Sequence, residues 1–152
     1  MNFEALQNFD IQVIKQENSF DKIRVDKSNL VDLLSFLKNN AEFDFDTLLS
    51  LIAIDLKDSF ELIYCVYSTK LNTQRQISVL LDRNLPKVNS IVDVYKSAYF
   101  DECEIYDLFG INFENNPDLK RLFMPKGWIG NPLRKDYIAD DSRLAWNEVK
   151  NA

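Results

Sequence analysis

Proline and glycine are concentrated in one segment, and this distribution constrains the fold more than any other feature of the sequence. Three of the four prolines and two of the three glycines lie within residues 115–138. Proline fixes φ and removes a backbone donor, so neither a helix nor a central strand is expected where prolines recur. We therefore predict one structural unit with two parts: an α+β domain over residues 1–113 and an irregular, extended C-terminal arm over residues 114–152.

The first part of the chain has apolar patterns that are typical of short helices and strands. Residues 3–14 predict a short helix, and residues 20–25 predict a strand with Ile23 and Val25 on one side. A second, amphipathic helix is indicated by four leucines at helical spacing, which follow the capping residue Ser28 and precede two asparagines. These are Leu30, Leu33, Leu34 and Leu37, then Asn39 and Asn40.

Three further segments predict a small sheet. Residues 48–54, 61–68 and 77–81 are enriched in Ile, Val and Tyr, and short connections join them. Short connections favour antiparallel neighbours, and Pro86 is expected to close the sheet. The predicted fold class is therefore α+β, with a small, mostly antiparallel or mixed sheet packed with helices.

A last helix is predicted after the sheet. Ser90 and Asp93 form a capping box of the S-x-x-D type, the helical pattern extends to Phe109, and Gly110 occupies the position of a left-handed C-cap.

Residues 99–110 of this helix contain four acidic side chains and no basic one. On a helix Asp101, Glu104 and Asp107 lie within about 120° of each other, which is also the pattern of a solvated acidic face. Glu102 borders an apolar stripe, where a buried carboxylate needs a partner. The basic arm is the expected supplier of that partner.

Several classes of function are excluded by what the sequence lacks. There is no histidine, so no Ser-His-Asp or Cys-His site and no His-ligated haem or zinc is possible. Cys65 and Cys103 are isolated and fall short of the four ligands that an iron–sulfur cluster normally takes. No glycine-rich phosphate loop occurs. We expect a non-catalytic domain without a prosthetic group; an enzyme that uses carboxylates alone remains an alternative.

Charge is distributed unevenly along the chain. The formal net charge is −6, which argues against nucleic acid or anionic lipid as the main partner. Residues 115–137 hold five basic and two acidic side chains, a local +3, so the remainder carries −9. We expect the arm to meet an acidic surface in this chain or in another. The longest apolar patch, residues 48–56, is far shorter than the ~20 residues of a membrane span, so any membrane contact is expected through partners.

The arm combines prolines, aromatic residues and charged side chains without any periodic face. This pattern predicts an adhesive arm that owes much of its order to a partner, with a self-packed surface loop as the alternative. Its two dense runs are NPDLKRLFMP at residues 116–125 and GWIGNPLRKDY at residues 127–137.

Three blocks of the sequence resemble one known family. ECEIYDLFGINF at residues 102–113 is similar to a signature of the form E-R-E-x-x-D followed by two hydrophobic residues and G-I-x-F. The two runs of the arm resemble H-P-D-L-[KR]-R with two hydrophobic residues and M-P, and W-x-G-x-P-L-R-K-D-Y. In this order the blocks are those of the 30 kDa subunit family of NADH:quinone oxidoreductase (respiratory complex I).

The resemblance implies a scaffold subunit of a proton-translocating oxidoreductase. It would dock beside the large quinone-site subunit and other peripheral-arm subunits, at the cytoplasmic face of the cell membrane. Flavin and iron–sulfur clusters are expected in partner subunits and none on this chain. The alternative is the equivalent subunit of a ferredoxin-linked dehydrogenase or a membrane-bound hydrogenase.

The motif residues are predicted to form the subunit interface and to serve assembly, not electron-transfer chemistry. They are Glu102, Glu104, Asp107, Gly110, Pro117, Asp118, Lys120, Arg121, Pro125, Trp128, Pro132, Leu133, Arg134, Lys135, Asp136 and Tyr137. Two positions depart from the pattern: Cys103 stands where the signature has Arg, and Asn116 stands where it has His. An ion-pair donor that the signature would supply to Glu102 is therefore missing.

Overall fold

The computed structural model describes residues 3–15 and 21–138. In this part of the chain a 3₁₀ helix, Phe3–Phe9, precedes seven strands and two α-helices. Their order is β1 (Gln12–Ile14), β2 (Lys22–Arg24), α1 (Leu30–Asn39), β3 (Thr47–Asp55), β4 (Ser59–Ser68), β5 (Thr73–Asp82), β6 (Lys87–Asn89), α2 (Ala98–Phe109) and β7 (Asn112–Glu114). The predicted α+β class is confirmed.

The main sheet has five strands in the order β1-β2-β5-β4-β3. Strands β3, β4 and β5 are antiparallel neighbours, as the short connections predict. Strand β2 pairs with β5 in parallel, which makes the sheet mixed. A separate two-stranded parallel sheet joins β6 to β7 and brings the residues before and after α2 together.

One hydrophobic core lies between the main sheet and the helices. Strand β4 is central to it, and alternate side chains of this strand are fully buried because successive residues point to opposite faces. Helix α1 presents its four leucines to the same core, as the helical spacing predicts. The buried residues of β4 on this face are Phe60, Leu62, Tyr64 and Val66.

Two of the local predictions before residue 86 are wrong. The helix predicted for residues 3–14 ends at Phe9 and is followed by β1, because Asp10 takes a positive φ of 48°. Ser28 does not cap α1, since its hydroxyl and amide both donate to Asp26. The main sheet ends before Pro86, as predicted: the Pro86 carbonyl accepts the Asn112 amide at 2.9 Å, and β6, which follows directly, belongs to the separate β6-β7 sheet.

The Ser90 capping box is also wrong. The Ser90 hydroxyl donates to the Glu102 carboxylate at 2.7 Å and accepts the Val92 amide at 3.2 Å, so residues 91–97 form turns and α2 begins only at Ala98. Asp93 is exposed and pairs with Lys96. The hydroxyl is recruited by a buried acid 12 residues away, which a local motif cannot indicate.

Candidate subunit interface

Helix α2 holds four acidic side chains, and three of them are turned to structural contacts. Only Glu104 is exposed among the four. The Asp101 carboxylate accepts the Leu51 amide at 3.2 Å, on the side of β3 away from β4. A solvated acidic face is therefore the wrong interpretation for Asp101, Glu102 and Asp107.

Glu102 is fully buried and is held by uncharged donors. Its two oxygens accept the Ser90 hydroxyl at 2.7 Å, the Ile91 amide at 2.8 Å and the Asn116 side-chain amide at 2.8 Å. Burial raises the pKa of this carboxyl. The hydrogen bonds from Ile91, Asn116 and Ser90 lower it, and the bond from Ile91 has the largest effect of the three. The arm therefore supplies a neutral amide to Glu102, where a basic partner is expected. Asn116 occupies the position of the family's His.

Asp107 gathers the backbone of the arm. Its Oδ2 accepts three consecutive amides, those of Leu122, Phe123 and Met124, at 2.9, 2.7 and 2.9 Å. Its Oδ1 lies 3.4 Å from the Arg121 guanidinium, and the carboxylate is fully buried. The basic partner that the sequence assigns to Glu102 is thus found at Asp107, further along α2.

The arm also satisfies the C-terminal end of α2. Asn131 donates its side-chain amide to the carbonyl of Asp107 at 2.9 Å, and the Leu133 amide donates to the Leu108 carbonyl at 3.0 Å. The last carbonyls of a helix have no partners within the helix, so these contacts complete it. Gly110 is the predicted left-handed C-cap, with φ 73°, and a Cβ there would lie only 2.5 Å from Asn131 Oδ1.

The Arg134-Lys135-Asp136 turn folds back on the end of the main sheet. Arg83 binds Asp55 through two nitrogens, at 2.6 and 3.2 Å, and binds Asp136 at 2.8 Å. Asp55 also accepts the Lys135 amide at 2.8 Å. The Arg134 guanidinium lies 3.4 Å from Asp136. The guanidiniums of Arg83 and Arg134 each lie 5.1 Å from the centre of the buried Phe60 ring.

Asp55 is the centre of this network. Its hydrogen bonds with Arg83, followed by those with the Lys135 and Lys57 amides, hold the pKa of its carboxyl well below its usual range. Sequence reasoning missed both Asp55 and Arg83. Asp55 is the last residue of β3 and lies 80 residues before Lys135, and Arg83 directly follows β5. No local pattern in the sequence marks either residue as a partner of the arm.

The remaining predicted interface residues form the turns of the arm. Asp118 pairs with Lys120 and accepts the Tyr99 hydroxyl at 2.8 Å. Trp128 is half-buried, and its amide donates to the Pro125 carbonyl at 3.1 Å. A Cβ on Gly130 would lie 2.8 Å from the Tyr137 ring. Pro117, Pro125 and Leu133 are exposed, and Pro132 is half-buried.

Several apolar side chains of the arm point into solvent although its backbone is bonded to the domain. Phe123, Ile129, Leu133 and Ile138 are 59%, 78%, 53% and 85% exposed. Lys126 and Lys135, which are near them in the sequence, are also exposed. Monomeric proteins rarely hold several large apolar side chains of one ordered segment in solvent. This surface is therefore typical of a protein–protein contact.

The described part of the chain offers neither a metal site nor a membrane span. In residues 3–15 and 21–138, no three His, Cys, Asp or Glu side chains are grouped so as to hold a metal ion. No helix within those same ranges has the length and apolar character needed to cross a membrane.

An α+β domain that fixes an irregular arm and exposes the apolar side chains of that arm belongs to the class of interaction domains found in multi-subunit assemblies. Residues 23–143 match the family described as the 30 kDa subunit of respiratory-chain NADH dehydrogenase. The match covers most of the sequence, and the chain belongs to this family. The resemblance of the three sequence blocks is confirmed.

Individual relatives agree with this assignment. The chain is 33% identical over 147 residues to NADH-ubiquinone oxidoreductase subunit 9 of Reclinomonas americana, covering 88% of this chain and 72% of that protein. It is 32% identical over 134 residues to the protein of the same name from Dictyostelium citrinum, covering 84% of this chain and 64% of that protein. The chain therefore spans only part of the length of these relatives.

The fold is also similar to that of a solved structure. A chain of the membrane-bound sulfane sulfur reductase, an archaeal respiratory membrane complex, superposes with a TM-score of 0.71 at 20% identity, covering 95% of this chain and 86% of that one. At this identity the similarity is one of fold.

Proposed function

We propose that this chain is a non-catalytic scaffold subunit of a proton-translocating NADH:quinone oxidoreductase, in which it docks beside the large quinone-site subunit of the peripheral arm. Family membership supports the type of complex. The observation that carries the docking role is the arm, whose backbone is bonded to Asp107 and Asp55 while Phe123, Ile129 and Leu133 are exposed.

Redox chemistry is proposed to take place in the partner subunits. The buried acidic residues of α2 have structural roles: Glu102 joins the segment after β6, α2 and the start of the arm, and Asp107 binds the middle of the arm. Flavin and iron–sulfur clusters are proposed to lie in other subunits, and this chain is proposed to reach the cytoplasmic face of the membrane through them.

The predicted interface residues have two different roles in this proposal. Glu102 and Asp107 are fully buried, Gly110 is half-buried, and all three are proposed to set the path of the arm. Residues exposed on the arm are proposed to contact the partner directly. Among the motif residues these are Pro117, Asp118, Lys120, Pro125, Leu133, Lys135 and Asp136.

A charge placed in the exposed apolar surface tests the docking role. Ile129→Asp should lower the amount of assembled complex severalfold, because an acid would be buried without a partner in the contact. The matched control is Leu85→Asp, since Leu85 is also exposed (61%) but lies outside the arm. Assembled complex is quantified by native gel of solubilised membranes. Equal assembly of both variants would contradict the docking role of the arm.

The same preparation identifies the electron donor of the complex. Co-purification from native membranes is expected to recover an NADH-binding flavin subunit together with this chain. Recovery of a nickel-site large subunit would instead place the chain in a membrane-bound hydrogenase. Quinone reductase activity divided by the amount of assembled complex should stay near the wild-type value in Arg134→Ala, because this chain is proposed to hold no redox group.

A further inference from the structure

Two buried carboxylates of the domain bind the arm at points far apart in its sequence. Asp107 accepts the amides of three consecutive arm residues, 122–124. Asp55 accepts the amide of Lys135, 11 residues beyond Met124. Asp107 is completely buried and Asp55 is 4% exposed.

These contacts are of the strong type. A carboxylate that accepts several backbone amides forms charge-assisted hydrogen bonds, which are roughly twice as strong as neutral ones. Each site also includes a guanidinium, Arg121 at Asp107 and Arg83 at Asp55. Release of the arm would remove all three amide donors from Asp107, whereas Asp55 would lose the Lys135 amide and keep Arg83 and the Lys57 amide. Loss of these charge-assisted bonds opposes detachment.

The Arg134-Lys135-Asp136 turn is engaged within the chain. Asp136 pairs with Arg83 at 2.8 Å, and the Arg134 guanidinium lies over the Phe60 ring. The charged groups of Arg134 and Asp136 are therefore bound within the chain, while Lys135 binds through its backbone amide and leaves its side chain exposed. This differs from the sequence-based expectation that the arm owes much of its order to another subunit.

We infer that Asp55 and Asp107 form a two-point clasp that orders the arm in the chain by itself. The clasp is defined as these two carboxylates with the amides of Leu122, Phe123, Met124 and Lys135. The next step rests on the docking role proposed above: the clasp holds the exposed apolar side chains of the arm in place before a partner binds. Partner binding then needs less ordering of the arm, which strengthens association without any added contact.

Hydrogen exchange on the purified full chain, without partner subunits, tests the clasp. The four clasp amides are expected to exchange about 100-fold or more slowly than unstructured amides of the same sequence. Asp107→Asn should speed exchange of the amides of residues 122–124 about tenfold, because a neutral acceptor replaces a charged one. Asp55→Asn should do the same at Lys135. Amides of β4 and β5 serve as the internal measure of global stability.

Glu61→Gln is the matched control. Glu61 is also buried and ion-paired, with Lys22 at 3.0 Å and Arg24 at 3.2 Å, but its partners belong to the sheet. It should affect the β4 and β5 amides without a selective effect on the arm. Clasp amides that exchange at unstructured rates in the wild-type chain would overturn the inference. So would a selective effect of Glu61→Gln on the arm equal to that of the aspartate variants.

The two proposals fail separately. Loss of amide protection in the isolated chain would refute the clasp and leave the docking role untouched. Normal assembly of Ile129→Asp would refute docking through the arm and leave the measured protection of the clasp amides as it stands.

Discussion

The Glu102 side chain lies at the junction of α2, the segment after β6 and the start of the arm. It is fully buried, and neutral donors surround its carboxylate: a hydroxyl, a backbone amide and the Asn116 side chain. These three hydrogen bonds replace the water that would otherwise hydrate the carboxylate. The buried acid is therefore tolerated although Cys103 stands where the family signature has Arg. The residue joins three segments that are separate in sequence, and its loss should affect the whole domain.

Replacement of Glu102 should therefore lower the free energy of unfolding more than replacement of Glu104, which lies on the same helix. Glu102→Ala is expected to lower the free energy of unfolding by about 3 kcal/mol, because it opens a cavity and leaves buried donors unpaired. Glu102→Gln keeps the volume and should cost about 1 kcal/mol. The control is Glu104→Ala on the exposed face of α2, expected within about 0.5 kcal/mol of wild type. Urea unfolding measures all three; an equal cost for Glu102→Ala and Glu104→Ala would contradict the structural role.

At the scale of elements, local sequence patterns predicted the structure correctly where residues of a single segment determine it. The leucines of α1 are all buried, and Gly110 ends α2 with a positive φ. Patterns failed where a distant group competes. Ser90 binds Glu102 instead of capping a helix, and β2 pairs in parallel with β5, although α1, β3 and β4 lie between them in the chain. Neither partner can be identified from the residues around it, because long-range pairing is set by the whole sheet.

The junction of α2 and the arm depends on Gly110 for two reasons that can be separated. A Cβ would strain the backbone at φ 73° and would meet Asn131 Oδ1 at 2.5 Å. Gly127 has a similar φ of 85° but nothing within 4 Å of a Cβ. Gly127→Ala should cost about 1 kcal/mol, and Gly110→Ala about 1–2 kcal/mol more because Asn131 must move.

A double-mutant cycle checks that steric difference by urea unfolding. Asn131→Ala removes the obstructing side chain, so the extra cost of Gly110→Ala should largely disappear in the double variant. Additive costs would show that the backbone conformation alone makes the glycine necessary.

At the scale of the whole molecule, the α+β class predicted from the sequence is confirmed, and residues 115–138 of the predicted arm contain no helix or strand. The division at residue 113 stays a prediction, and residues 139–152 of the arm lie outside the described residues. The uneven charge also predicted that the arm meets an acidic surface. Sequence could not tell whether that surface lies in this chain. Among the described residues, Arg121 of the arm does meet an acid of the domain, Asp107, which lies within a motif that the sequence singles out. At the end of the main sheet the signs are reversed, because Arg83 of the domain binds Asp136 of the arm.

The pKa of Asp55 gives the contact between arm and sheet a defined dependence on pH. Hydrogen bonds from Arg83 lower the pKa of the folded carboxyl well below the ordinary Asp value of 3.8. A lowered folded pKa means that the unfolded chain binds the proton more readily. The stabilisation is therefore fully present above about pH 4 to 5 and is lost as pH falls below the unfolded pKa of about 3.9 towards the folded value.

Comparison of wild type with Asp55→Asn isolates this effect, since the variant has no carboxyl to titrate at residue 55. The difference between their free energies of unfolding should be constant from about pH 7 to pH 5 and should narrow steadily below about pH 4. Contributions from other acids, including Glu102, whose pKa burial shifts upward, largely cancel in the difference. Urea unfolding at about pH 7, 5, 4, 3 and 2 provides the values. A difference that already disappears near pH 6, or that persists undiminished at about pH 2, would contradict a strongly ionised Asp55 as the group that fastens the arm to the sheet.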